Sequence, residues 1–286
     1  HRDLHSFPTR RSSDLKDWAA QNQDVVNEFA VFPSGYMGLI QPDGALELYD
    51  GELRLIDKDG KQLERFNPCN YLDYIGEHVD TFSYLKAPFY KKMGWPNGVY
   101  RVGPLGRLNA ATHISTPMAQ SEMKIWKSLN GGKPVEGTLY FHYARLIETV
   151  YALERIKELM DDPDILKTDV ANPAGPISGE GVGCLEAPRG TLFHHYWTDE
   201  MGVITRANMI VATGHNAWAM NHSVNMVAKR YVDGTKLTEG MLNRVEAAIR
   251  AHDPCLSCST HAMGQMPLYI ELRSAEGELL DTLRRD

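Results

Sequence analysis

Asp253-Pro254-Cys255-Leu256-Ser257-Cys258-Ser259-Thr260-His261 places two thiols and an imidazole within seven residues. Two cysteines separated by two residues can turn toward one metal ion, and a His three residues further on lies within reach of the same region. Pro254 fixes its own φ and restricts Asp253, so the chain direction is set just before the first thiol. A CxxC pair alone is shared by zinc ribbons, thioredoxin-like redox sites and metal-transfer proteins. Upstream, Met241, Leu242, Val245, Ala248 and Ile249 fall at helical spacing within Thr238 to Ala251, so the thiols follow a rigid element. Cys255, Cys258 and His261 are the candidate metal ligands.

A second stretch runs Gly179-Glu180-Gly181-Val182-Gly183-Cys184-Leu185-Glu186-Ala187-Pro188-Arg189-Gly190-Thr191-Leu192-Phe193-His194-His195-Tyr196. Arg189 stands out because a guanidinium stays charged and donates several hydrogen bonds in a fixed plane. Pro188 stiffens its loop and Gly190 permits close backbone approach. Further short stretches are Glu77-His78-Val79, Ser83-Tyr84-Leu85-Lys86, Tyr100-Arg101-Val102-Gly103-Pro104-Leu105 and Ala212-Thr213-Gly214-His215-Asn216. Together with the cysteine motif, they closely resemble the large (alpha) subunit of nickel-iron hydrogenases from about residue 30 to the C-terminus. The Glu-Ala-Pro-Arg-Gly segment extended to His-His-Tyr is similar to the cytoplasmic, bidirectional, NAD(P)-linked branch.

The resemblance implies a nickel-iron centre with cyanide and carbon monoxide on the iron, held by four cysteines, two of them Cys255 and Cys258. Cys255 would be a terminal nickel ligand and Cys258 the thiolate bridging the two metals. Arg189 would lie over the metals against a cyanide nitrogen, and Cys255 or Arg189 would be the catalytic base in heterolytic splitting of dihydrogen. Glu186 would either position Arg189 as its ion-pair partner or transfer protons. His261 would help bind a magnesium ion in the mature site after an endopeptidase removes residues 262–286, nickel having been delivered by chaperones. Electrons would pass to a small subunit carrying iron-sulfur clusters, and then through diaphorase subunits to NAD(P). Consistent with partners holding those cofactors, the four cysteines here are not spaced for a cluster, and no GxGxxG marks a nicotinamide fold.

The N-terminal CxxC of that family is absent from this sequence. His5-Ser6-Phe7-Pro8-Thr9-Arg10-Arg11-Ser12-Ser13-Asp14-Leu15 reads as the in-frame translation of a sequencing-library adapter, against the alternative of a basic, Ser-rich leader or transit peptide. The expectation is an artefactual leader over 1–15, a hydrogenase large-subunit unit over 16–261 without its N-terminal CxxC segment, and an extension over 262–286. Such a fragment would be inactive alone. Two other readings are a non-catalytic zinc-binding module and a metal-free relative of a respiratory complex I subunit. The first lacks a fourth ligand at zinc-finger spacing, and the cysteines and His261 speak against the second.

Composition bounds the rest. The chain has 286 residues, 43% of them hydrophobic, and a net charge of −7. That length supports one large or two modest domains. The acidic balance, without a basic stripe, argues against nucleic acid. No apolar run is long enough for a membrane span, and a cytoplasmic location is expected. Four cysteines suggest ligands and incidental thiols, with Cys69 and Cys184 expected to be buried.

The fold expected is mainly α (α+β): a helical bundle core, as the resemblance implies, with a small antiparallel region near the N-terminus. That meander would use Gly38–Ile40, Ala45–Tyr49 and Leu53–Ile56, with a further turn at Asp57-Lys58-Asp59-Gly60. Helix should dominate after residue 110. Thr138 to Met160 carries Leu139, Tyr143, Leu146, Val150, Leu153 and Met160 as its apolar stripe, with Arg145, Glu148, Glu154 and Lys157 on the wet side, and Asp161-Asp162-Pro163 ends it. Pro173–Gly179 should be a loop. His194 and His195, if helical, would point about 100° apart and serve structural roles. Leu268–Leu272 looks like a strand.

Overall fold

The computed structural model describes residue 14 and residues 17–83, 85–171, 175–255 and 268–285. After a short helix α1 (Gln23–Glu28), the chain builds an antiparallel sheet from β1 (Gly35–Ile40), β2 (Glu52–Ile56) and β3 (Gln62–Phe66). A hairpin of β4 (Ile75–His78) and β5 (Ala87–Tyr90) follows, and β6 (Tyr100–Arg101) then joins the first sheet parallel to β1. The expected meander is right in kind and wrong in one member. Ala45–Tyr49 makes only isolated bridges, Ile40 to Leu46 and Ala45 to His113, while Gln62–Phe66 supplies the third strand. The Asp57–Gly60 turn is the hairpin between β2 and β3, and the Asp57 carboxylate accepts the Asp59 and Lys61 amides at 2.9 Å each.

Strand β1 is covered on both faces, so its side chains divide by period two. Tyr36 and Ile40 join a cluster with Leu105, Leu108, Trp126, Phe141 and Ile147. Met37 and Leu39 join another with Leu53, Leu55, Tyr71 and Phe193. The first face is covered by α2 (Gly103–Ala110), which is buried at all eight positions. Helix and strand approach so closely that a Cβ on Gly38 would sit 2.9 Å from the Cα of Arg107. Outside α2 pack α3 (Pro117–Ser128) and α4 (Tyr140–Met160).

Helix α4 corrects the stripe expected of it. Phe141, Tyr143, Ala144, Ile147, Val150 and Tyr151 are buried, whereas Leu153 and Met160 are 47% and 70% exposed. The supposed wet side is partly internal. Glu148 binds Arg107 with its side chain 13% exposed, and both Glu154 oxygens accept the amides of Met118 and Ala119 at 2.9 and 3.0 Å. The latter pair satisfies free N–H groups at the start of α3.

After residue 110 helix still outweighs strand among the described residues, but the chain also builds a sheet not expected from its sequence. Glu180–Ala187 (β7), Gly190–Thr198 (β8) and Ile204–Ile210 (β9) form an antiparallel sheet in that order. With 40% helix and 26% strand, the structure is α+β, and the mainly-α description holds only loosely. Helices α5 (Ala217–Tyr231) and α6 (Glu239–His252) pack together after the sheet. β10 (Leu268–Arg273) pairs with β11 (Leu279–Arg285) as a separate hairpin, tied back by the Asp281 carboxylate accepting the Leu237 amide at 2.7 Å. Among the described residues, no helix is long and apolar enough to cross a membrane.

The division of α4 into a buried and an exposed half is testable. Ile147→Ala removes a fully buried side chain and should cost about 2–5 kcal/mol. Leu153→Ala should stay within about 0.5 kcal/mol of the parent. Urea unfolding midpoints at constant slope would distinguish the two.

Candidate metal centre

The cysteine motif is positioned by the end of α6. Thr238 caps the helix start, its hydroxyl accepting the Met241 amide at 3.4 Å. The helix stops at Asp253, which takes a left-handed conformation with φ 50°, and Pro254 prevents continuation. Cys255 follows half-buried, its amide donating to the Thr213 hydroxyl at 3.1 Å. Thr213 lies in a single helical turn, Ala212–His215, between β9 and α5. Residues 256–267, Cys258 and His261 among them, lie outside the described residues, as do residues 1–13, 15–16, 84, 172–174 and 286 of the stretches named above.

Arg189 reaches the same place from the β7–β8 turn. Its Nε donates to the Asp253 carbonyl at 2.6 Å and lies 3.5 Å from the Asp253 carboxylate. The structure therefore brings Arg189 to the residue two before Cys255. Two glycines make the approach possible. Gly103, at φ 78°, leaves so little room that a Cβ would meet the Arg189 carbonyl at 2.8 Å, and a Cβ on Gly190 would meet Val102 Cγ2 at 2.2 Å. Asn216 locks the Val102 backbone from the other side, accepting its amide at 3.0 Å and donating to its carbonyl at 3.3 Å. Four stretches far apart in sequence thus converge, at Val102–Gly103, Glu186–Gly190, Ala212–Asn216 and Asp253–Cys255.

Glu186 does not pair with Arg189, and this corrects one of the two roles expected of it. Its side chain is fully buried and faces Arg107, with Arg107 Nη1 donating to Oε2 at 2.9 Å. The other oxygen accepts the Leu39 amide at 3.1 Å and the Thr191 hydroxyl at 2.8 Å. Arg107 also holds Glu148 with two hydrogen bonds, 2.7 and 2.6 Å, and donates to the carbonyls of Ala187 and Pro188 at 2.8 and 3.1 Å. The two carboxylates outweigh burial and hold the Arg107 guanidinium above its ordinary range. Arg107 fastens the backbone that carries Arg189, yet it sits 79 residues from Glu186. No local spacing marks it in the sequence. Arg145 adds a smaller tie, donating to the Ala251 carbonyl at 3.1 Å near the end of α6.

The histidines around the site are structural. His194 and His195 lie on a strand, so they face opposite sides. His195 is buried between the Tyr71 hydroxyl at 3.2 Å and Glu180 at 2.8 Å. His215 meets the Tyr100 hydroxyl at 2.8 Å, and burial pushes its imidazole down to about 3. His252 is buried against Phe141, and burial pushes it down to about 4. Both therefore stay neutral near pH 7. Of the two incidental thiols, Cys69 is exposed rather than buried, and Cys184 is half-buried with its thiol pushed well up, chiefly by burial.

Cys255 is disulfide-bonded in this structure; reduced, its thiolate would suit a soft or borderline metal, and Arg189 stands beside its segment as a fixed donor toward anionic groups. Among the described residues no three His, Cys, Asp or Glu side chains gather to hold a metal ion.

Comparison with known proteins places this arrangement. Residues 19–261 match the family model described as nickel-dependent hydrogenase. The chain is 43% identical over 272 residues to the NAD-reducing hydrogenase HoxS subunit beta of Cupriavidus necator, covering 94% of this chain and 56% of that protein. It is 41% identical over 268 residues to the vhc-type F420-non-reducing hydrogenase of Methanococcus voltae, covering 92% and 56%. A crystal structure of an NAD+-reducing [NiFe]-hydrogenase in the H2-reduced state superposes with a TM-score of 0.85 at 36% identity, covering 90% of this chain and 57% of that one. The chain thus spans just over half the length of these relatives. It belongs to the nickel-dependent hydrogenase family.

Proposed function

We propose that this chain belongs to the catalytic large subunit of an NAD(P)-linked nickel-iron hydrogenase. The observation that carries the reading is the hydrogen bond from Arg189 to the Asp253 carbonyl, which seats a permanently charged donor beside the Cys255 segment. In this reading Cys255 and Cys258 are metal ligands and His261 is the residue that meets a magnesium ion after maturation. When bound, the nickel-iron centre supplies the heterolytic cleavage of dihydrogen.

The chain's own residues then have separable tasks. Arg189 binds an anionic ligand or developing negative charge through its guanidinium, whose Nη groups have no hydrogen-bond partner among the described residues while Asp253 meets its Nε. Cys255 and Arg189 are the candidates for holding the proton. Thr213 fixes the Cys255 backbone, and Arg107 with Glu186 keeps the Arg189 loop from relaxing. Residues 262–286 act as the extension removed on maturation by an endopeptidase. Partners would be a small subunit with iron-sulfur clusters, diaphorase subunits carrying the route to NAD(P), and nickel chaperones, all in the cytoplasm. Family membership, together with the NAD-reducing relative, supports this reading over a metal-free relative or a zinc module.

The test uses a complete large subunit carrying this segment, together with its partners. Cys255→Ser should abolish nickel retention in metal analysis. Arg189→Lys should retain nickel while hydrogen-driven NAD+ reduction falls by about 10²–10³-fold, the effect of losing a preorganised donor. Full activity in Arg189→Lys, or nickel retained in Cys255→Ser, would overturn the assignment. The loop geometry has its own test. Gly190→Ala should destabilise the chain by about 1–3 kcal/mol through overpacking against Val102, read from the thermal midpoint.

A further inference from the structure

The C-terminal end of α2 carries a concentration of positive charge that the metal centre does not use. Lys127 donates to the carbonyls of Leu108 and Asn109 at 2.8 and 3.2 Å, and Arg54 donates to the next carbonyl, Ala110, at 2.8 Å. Arg54 also donates to the neutral Gln62 amide oxygen at 3.1 Å. Among the described residues, neither cation has a carboxylate within salt-bridge range. Both line a cavity of about 270 Å³, together with Thr112, Gly132 and Lys133. Lys133 is already paired with Asp59 at 3.1 Å.

A helix end accounts for part of this arrangement. Cations at a C-terminus satisfy its last carbonyls and meet the equivalent of about half a negative charge. Two full positive charges therefore leave an excess of roughly one and a half beside a cavity. Taking charge out of water without a counterion is expensive. Burial, and then Arg54, push the Lys127 ammonium down to about 8, so the two cations repel each other across the site. The Thr112 hydroxyl is spent on the Gly44 carbonyl at 3.0 Å, so the space is lined chiefly by two unneutralised cations and glycine backbone, a setting that fits a small oxyanion.

We propose that Arg54 and Lys127, with Lys133 at the rim, form a binding site for an anion of the phosphate class. The site lies at the opposite end of α2 from Gly103, roughly 10 Å along the helix. The anion would neutralise the cation pair and pin β2, α2 and α3 together, since Arg54 sits on β2 and Lys127 on α3.

Inorganic phosphate titrated into this chain at constant ionic strength, followed by calorimetry and by 31P line width, tests the site directly. Saturable one-to-one binding near pH 7 is expected, with a raised thermal midpoint. Affinity should drop at least tenfold in Lys127→Met and in Arg54→Gln, and stay unchanged in Lys124→Met, an exposed lysine on the same helix. Without phosphate the sign of the pH dependence is also set. A lysine held at about 8 binds its proton less well folded than unfolded, so stability rises as pH climbs from about 8 toward 10. Wild-type protein that shows no saturable phosphate binding beyond that of chloride would overturn the proposal. So would a Lys127→Met variant that binds phosphate as wild type, or one whose midpoint falls equally with and without phosphate, as a simple helix cap would.

Discussion

One buried guanidinium holds this structure's centre together. Arg107 lies beneath the sheet with its side chain 2% exposed, where an unpaired charge would cost several kcal/mol. Glu148 and Glu186 neutralise it, and the carbonyls of Ala187 and Pro188 take its remaining donors. Those two carbonyls belong to the residues just before Arg189. A desolvated charge thus fixes the backbone of a loop in which two glycines remove the side chains that would keep it away. Arg189 meets Asp253 from that position.

The same arrangement links three layers of the fold. Glu148 comes from α4, Arg107 from α2, and Glu186 from β7, whose carboxylate also accepts the Leu39 amide of β1. Disturbing any one of them leaves a buried charge or an unmet donor on another. Such a network specifies one arrangement rather than adding stability in proportion to its bonds. That suits a site in which Arg189 must stay in place without a substrate to hold it.

Much of this site was legible in the sequence because its parts are contiguous. The cysteine motif, its preceding helix, Arg189 and the glycine-bearing loops could each be read from local residue types. Their convergence could not be derived from spacing. Arg107 and Glu186 are 79 residues apart, and nothing in the α2 pattern distinguishes a buried Arg from a surface one. The β7–β9 sheet escaped notice for a related reason. Its strands β7 and β9 are largely exposed, so they show no clean alternation of apolar and polar residues. In α4, Leu153 and Met160 followed the helical period while the core ended before them, because burial depends on how far neighbouring elements extend.

The most direct test is a double-mutant cycle on Arg107 and Glu186 by urea unfolding. Arg107→Met should cost about 3–5 kcal/mol, because it strands the buried Glu186 and Glu148 carboxylates, and Glu186→Gln should cost less, about 1–3 kcal/mol, because Glu148 still neutralises Arg107. The double variant should recover part of that loss, giving a coupling of at least about 2 kcal/mol. Single variants near wild type, or effects that simply add, would contradict the claim that this buried pair holds the Arg189 loop.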